Sequence, residues 1–199
     1  MGRWQPNAVG RLQQAALELY GERGFEPTTV ADIAERAGLT ERTFFRYFAD
    51  KREVLFLGSD DLLGLFAKAV AEAPDSASPL DAVAAALEAA SGFFEDRRAH
   101  ARQRQAVIAA NPSLQERELI KMASLAAAVA EALRGRGVGE PAAMLTAEAG
   151  IAVFKVGFEL WVDEANNQTF AQVMRDALDD LRTVIAEPAR TRSPQVSSN

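Results

Sequence analysis

The segment 38-GLTERTFFRYFADK-51 sets four aromatic side chains, Phe44, Phe45, Tyr47 and Phe48, into five consecutive positions and threads them with Arg42, Arg46 and Lys51. At about 100° per residue, a helix beginning after Thr40 turns Phe44 and Phe48 to one face. Arg42 and Arg46 fall on the opposite face, flanked by Thr43 and Tyr47. Thr40 is a good N-cap, and a second short helix over about 29–37 is capped by Thr28 or Thr29, buries Val30, Ile33 and Ala34, and stops at Gly38. Two short helices joined by a glycine-containing turn fit a helix-turn-helix, in which the second helix enters the DNA major groove. Phe44 and Phe48 would then pack with Ile33, Leu39 and Leu55. The outward set has residue types that contact DNA: arginine for guanine edges or phosphates, a short hydroxyl for either, tyrosine for phosphate. The competing reading is an ordinary amphipathic helix with a solvated basic face.

Outward from that segment the periodicity is helical almost end to end, with no alternating β pattern, so the fold class is all-α with about nine helices. A first helix over about 7–23 precedes the pair. A fourth, over about 51–72, is long enough to leave one unit and enter another. The stretch 73-APDSASP-79 is the clearest break, and helices are expected beyond it at about 80–97, 99–110, 112–134, 141–164 and 168–186, with Asn111 and Asn167 as caps. The expected division is a helix-turn-helix unit over 1–52, a helical ligand-binding and dimerisation unit over 53–188, and a disordered tail over 189–199.

Composition narrows the function. The 199 residues are 48% hydrophobic and include no cysteine and one histidine, His100. Thiol chemistry and zinc sites built on Cys and His clusters are therefore excluded. Ser91, Ser113 and Ser124 have no evident base, so no catalytic constellation, enzymatic role, metal or cofactor is expected. No stretch has the apolar run of a secretory leader or membrane span, which leaves the cytoplasm as the expected location. The net charge of −6, taken over the whole chain, argues against nucleic acid. Residues 1–56 are balanced, however, at eight basic and eight acidic side chains, so the excess negative charge lies beyond them. Overall acidity leaves room for a local basic face.

Over about residues 8–57, 17-LELYGERGFEPTTVADIAERAGLTERTFFRYFADKREVL-55 resembles the N-terminal domain of the TetR family of bacterial transcriptional regulators. Hydrophobic, capping and glycine positions agree in order and spacing. The resemblance implies that Thr29 caps the second helix near a phosphate, that Thr40, Arg42, Thr43 and Arg46 face bases or backbone, and that Tyr47 and Lys51 hold phosphates. Phe45 departs from the pattern: many relatives carry tyrosine there, and phenylalanine offers only apolar contact, for instance to a thymine methyl. Glu41 beside a polyanion reads either as a helix-dipole partner or as an acceptor for a cytosine amino group. Arg3 and Trp4 could form an arm into a minor groove.

The resemblance further implies a homodimer on a double-stranded palindromic operator, and a small-molecule effector that is hydrophobic or acyl-CoA-like. The helix over 141–164 is apolar nearly all round, and such a helix is covered on more than one side. Ala147 and Ile151 on it, with Phe170, Met174, Leu178, Leu181 and Ile185 on the last helix, are the expected dimer contacts. Phe93, Phe94, Val107, Met122, Leu125, Phe154, Phe158 and Trp161 are the candidate lining of an apolar pocket, with His100, Arg104 and Lys155 as its polar groups. Arg97, Arg98, Arg102 and Arg104 read either as neutralising a helix C-terminus or as taking an anionic ligand group. The alternative to a regulator is a helical small-molecule-binding or enzymatic protein that does not bind DNA specifically.

Overall fold

In the computed structural model, residues 7–94 and 96–186 are described; the Arg3–Trp4 arm and the 189–199 tail lie outside them. All regular structure among the described residues is helical: α1 (Ala8–Arg23), α2 (Val30–Arg36), α3 (Glu41–Tyr47), a 3-10 turn (Glu53–Phe56), α4 (Ser59–Ala71), α5 (Pro79–Ala89), α6 (Ser91–Phe94), α7 (Arg98–Ala109), α8 (Pro112–Gly135), α9 (Ala142–Val162) and α10 (Phe170–Ala186).

Local signals explain most of these boundaries. Asn7 caps α1 by accepting from the Gly10 amide at 3.0 Å. Thr29 opens α2 with a capping box, its hydroxyl accepting from the Asp32 amide while the Asp32 carboxylate accepts from the Thr29 amide. Each such cap removes an orphan donor and contributes ~1 kcal/mol. Thr40 does the same for α3, accepting from the Thr43 amide at 3.2 Å.

Two expected caps differ. The Asn111 side chain points back and donates to the Val107 carbonyl, leaving no side-chain cap at α8. The last helix begins after Thr169, whose hydroxyl accepts from the Gln172 amide, so Asn167 stays in the preceding loop.

The long fourth helix is where the sequence reading fails most visibly. The chain leaves α3, makes the 3-10 turn, and turns again at Gly58 before α4 begins at Ser59. Gly58 has φ 84°, and a Cβ there would lie 2.9 Å from the Phe93 ring. Only glycine satisfies both demands, which ends the helical run that the leucines suggest.

The core forms two clusters. The N-terminal one gathers Leu12, Leu19, Tyr20, Phe25, Ile33, Phe44, Phe48, Val54, Leu55 and Phe56, and is completed by Val107 and Ile108 from α7 and Leu114 from α8. The other lies between α4, α5, α8, α9 and α10, with Phe66, Val83, Leu87, Val129, Leu133, Phe154 and Met174 inside. α7 thus belongs to both bodies and joins them.

Candidate functional site

On α3, Phe44 is fully buried and Phe48 nearly so, in the same cluster as Ile33, Leu39 and Leu55. Removing the Phe44 ring would cost about 3–5 kcal/mol, because transfer and cavity terms add. That anchoring leaves Thr40, Glu41, Arg42, Phe45, Arg46 and Tyr47 exposed and Thr43 half-buried on one surface. Arg46 donates to the Tyr47 hydroxyl at 2.7 Å and lies 4.7 Å over its ring, so the two form one preset unit. Arg42 makes no hydrogen bond or ion pair with another described residue. Phe45 is 55% exposed, an apolar ring held in solvent beside two arginines.

The approach of α2 to α3 is set by Gly38, which has φ 63°; a Cβ there would sit 2.9 Å from the Arg11 guanidinium. Arg11 reaches across this gap from α1 to donate to the Ala37 carbonyl.

Lys51 differs from its expected role. Its ammonium donates to the carbonyls of Phe25, Glu26 and Thr28 at 2.9, 2.9 and 3.0 Å and lies 4.4 Å from the Phe25 ring centroid. An ammonium has three donors, and all three are used. Lys51 therefore fastens the α1–α2 turn to the chain after α3 instead of projecting a free charge. Tyr20 completes the fastening by donating to the Lys51 carbonyl at 2.7 Å. Burial pushes the Tyr20 phenol well above its usual range, so it remains a donor.

A cavity of about 920 Å³ lies between the two bodies, at the upper end of the usual range for ligand sites. Its apolar lining includes Leu62, Phe93, Phe94, Met122, Phe154 and Phe158; its polar lining includes Arg97, His100, Arg104, Glu118 and Lys155. Asn7, Val9, Gly10 and Gln13 of α1, and Leu55, Leu57 and Gly58 at the junction, also line it. Of the pocket residues expected from sequence, Phe93, Phe94, His100, Arg104, Met122, Phe154, Phe158 and Lys155 meet here. Val107, Leu125 and Trp161 do not: Val107 packs in the N-terminal cluster, Leu125 and Trp161 in the other.

The arginine run divides by task. Arg98 donates to the Asn166 and Gln168 carbonyls at 2.9 and 2.6 Å, and Arg102 to the Val162 carbonyl at 2.6 Å, so both satisfy the C-terminal end of α9 and its loop. Arg97 and Arg104 turn to the cavity. Arg104 donates through Nε to the Leu55 carbonyl at 2.6 Å, pairs with Glu118 at 3.1 Å, and lies 5.1 Å over the Phe56 ring. His100, between them, has its pKa lowered by burial first and then by the charges of Arg104 and Arg97. It therefore stands as neutral imidazole at pH 7.

The family model for bacterial regulatory proteins of the tetR family matches residues 12–56, and the MftR C-terminal domain model matches residues 77–186, more than half of the chain. The chain belongs to the TetR family. It is a DNA-binding transcriptional regulator of helix-turn-helix type, and relatives matched over the sequence are named as regulators, not enzymes. It is 38% identical over 86 residues to the regulator TcmR of Streptomyces glaucescens, a match covering 43% of this chain and 38% of that protein. It is 29% identical over 140 residues to MftR of Mycobacterium tuberculosis, a regulator named for mycofactocin biosynthesis, covering 70% of this chain and 71% of that one. In fold it is similar to the Thermus thermophilus repressor FadR, solved with lauroyl-CoA, at TM-score 0.52 and 21% identity, covering 94% of this chain and 98% of that one.

In this TetR-family regulator the expected dimer residues are mostly turned inward. Ala147, Ile151, Phe170, Met174 and Leu178 are buried within the chain's own core, because α9 and α10 pack on each other and on α5. Leu181 is half-buried and Ile185 exposed. The solvent face of α9 instead shows Leu145, Ala152, Val156 and Leu160 at spacings of seven, four and four, with Ala149 half-buried on the same stripe. No helix among the described residues is long and apolar enough to cross a membrane.

Four further residues carry no local signal of their role: Glu53, Gly58, Arg117 and Glu118. Arg117 donates to Glu53 at 2.7 Å, tying α8 to the 3-10 turn, and Lys121 lies 3.5 Å from Asp60. These partners are far apart in the chain, and nothing in their local patterns links them.

Proposed function

We infer that the chain binds a palindromic operator as a homodimer, presents α3 of each protomer to the major groove, and acts as a repressor released by a small apolar or amphipathic effector. The observation that carries this reading is the division of α3. Phe44 and Phe48 are locked in the core, which holds Arg42, Thr43, Phe45 and Arg46 outward on one rigid surface. Residues 1–52 form the reading unit in this proposal and residues 53–188 the effector-binding and dimerisation unit, with Thr29, Thr40, Tyr47 and Glu41 at the edge of the DNA contact.

The cavity supports an effector of mixed character, since its lining is rich in phenylalanine and also carries arginine and histidine. A fold neighbour solved with lauroyl-CoA fits the same class, an apolar chain bearing an anionic part. The exposed α9 stripe supports the dimer: a row of apolar side chains facing water on a well-packed helix is unfavourable unless a second copy covers it.

A mobility-shift titration with the DNA upstream of the protein's own reading frame tests the proposal. A specific complex that weakens steeply with salt is the expected result. No specific, salt-sensitive complex at any concentration up to micromolar would defeat it.

A further inference from the structure

We propose that the cavity between the two bodies takes an amphipathic anion, and that the anionic group acts by drawing Arg104 away from the Leu55 carbonyl, releasing the turn that positions α3. The proposal rests on the effector-responsive reading above; it adds the side chain that takes the anionic group and the place where binding becomes movement.

Arg104 is the deepest charge in the cavity wall, with 19% of its side chain accessible. Its Nε is spent on Leu55 and its Nη1 on Glu118. Its Nη2 has no hydrogen-bond partner among the described residues, yet it is not among the polar atoms sealed from solvent. A guanidinium with an open donor edge beside a cavity matches a carboxylate or phosphate oxygen, which can take two of its hydrogens in parallel. Arg97 lies on the same rim. Of the acidic lining residues, Asp61, Asp96 and Glu159 are exposed and Glu118, partly buried, is paired with Arg104, so no unpaired buried carboxylate is left for a cation. Phe94, Phe154, Phe158 and Met122, which line the same cavity, provide the surface that an apolar body would cover.

The Leu55 carbonyl belongs to the 3-10 turn, and the Leu55 side chain packs in the same cluster as Phe44 and Phe48 of α3. A change at Leu55 is therefore felt by the two rings that orient the reading helix. An anion that takes two hydrogens in parallel uses Nη2 together with Nε or Nη1, so it competes with Leu55 or with Glu118, and on the Nε side it binds best where the tether is open. That differential affinity is what a ligand needs to shift a conformational equilibrium.

Decanoate, 1-decanol and decylamine share a chain and differ in head charge, which makes them suitable probes of the full chain. By calorimetry without DNA, decanoate should bind at least tenfold tighter than either. Equal binding of decanol, tighter binding of decylamine, or no binding of decanoate overturns the proposal. By fluorescence anisotropy on the upstream DNA, decanoate should weaken the protein–DNA complex and decanol should not.

The variant Arg104→Met with Glu118→Gln removes the charge without leaving an unpaired carboxylate, and its fold is checked by circular dichroism. Its preference for decanoate should fall to within twofold and its DNA complex should no longer respond; a retained tenfold preference overturns the proposal. If that pair fails to fold, Arg104→Lys keeps a charge but not the two-sided tether, and should keep the preference while losing the release. Arg117→Gln cuts the other tie to the same turn from outside the cavity and should keep the full preference. Absence of a DNA complex in the unliganded wild-type protein would overturn the regulator reading itself. An intact complex with binding indifferent to head charge would overturn only this proposal.

Discussion

Replacing Lys51 with Met keeps the aliphatic stem and removes the ammonium, which separates two roles that lysine could play. In the structure the ammonium closes three hydrogen bonds, at 2.9, 2.9 and 3.0 Å, onto the carbonyls of Phe25, Glu26 and Thr28. A hydrogen bond to a charged group contributes about 1.5–3 kcal/mol net when well shielded. The Glu26 end is exposed, so water can replace part of what is lost there. The position over the Phe25 ring adds ~0.5–1 kcal/mol. Counting only the two part-buried bonds and the ring contact, Lys51→Met should destabilise the chain by about 3 kcal/mol or more, read as a lowered urea midpoint at unchanged slope.

The alternative role, a phosphate contact, gives a different signature. Losing one phosphate partner should leave stability nearly unchanged and reduce the salt dependence of DNA affinity by about one unit in the log–log slope. Urea unfolding and anisotropy at several salt concentrations measure both on one sample. A variant with the wild-type urea midpoint and a slope smaller by about one would refute the tether and restore the phosphate contact.

Arg42 has no partner to lose within the described chain, so Arg42→Ala should leave stability within ~0.5 kcal/mol, cost ~1–3 kcal/mol of operator affinity and relax preference at one base pair; a uniform loss across sequences would assign it to phosphate. Val156→Glu, on the exposed stripe of α9, should give folded monomers by sedimentation, while Leu178→Glu should compromise folding, since Leu178 is core; a dimeric Val156→Glu would mean that another face pairs. His100 has its folded pKa lowered by burial, Arg104 and Arg97, so the unfolded chain binds protons more readily. Stability should therefore fall as pH drops through the unfolded value of ~6.5. His100→Gln should remove that portion of the slope, and identical stability curves from pH 7.5 to 5.5 would disprove the assignment.

What could be read in advance, and what could not, follows from the range of the interactions. The α3 faces were legible because helical geometry alone separates Phe44 and Phe48 from Arg42 and Arg46. The role of Lys51 was not: a lysine beside a reading helix looks the same whether it meets a phosphate or a carbonyl, and the three carbonyls lie more than twenty residues away. On α10 the wheel found the right stripe, Phe170, Met174 and Leu178, but could not say whether a partner or the chain's own α9 covers it. On α9 the apolar residues run nearly all round, so periodicity had no face to choose. The pocket was half legible: its aromatic wall comes from runs rich in phenylalanine, while its α1 and junction walls arise only when distant elements meet.

The break at Gly58 bears on how an effector signal could travel. Had one helix run from Lys51 to Glu72, as its leucines suggested, the reading unit would be carried on a rigid rod, and any shift in the C-terminal body would turn it directly. Because the chain reverses into a left-handed residue there, α4 cannot act as that lever. Orientation is held instead by side chains crossing the gap, and these are unequal. Lys121 to Glu53, at 4.0 Å, is the longest of these pairs and contributes least. Arg117 to Glu53 is partly shielded at 2.7 Å. Arg104 to Leu55 is the shortest, at 2.6 Å, the best shielded, and the only one of the three that borders the cavity. A charged donor to a shielded carbonyl contributes about 1.5–3 kcal/mol, enough to change a two-state ratio roughly tenfold or more. If side-chain ties and not a continuous helix set the pose of α3, cutting them singly should change operator affinity in the order Arg104, Arg117, Lys121. An equal effect from all three would favour the rigid lever after all.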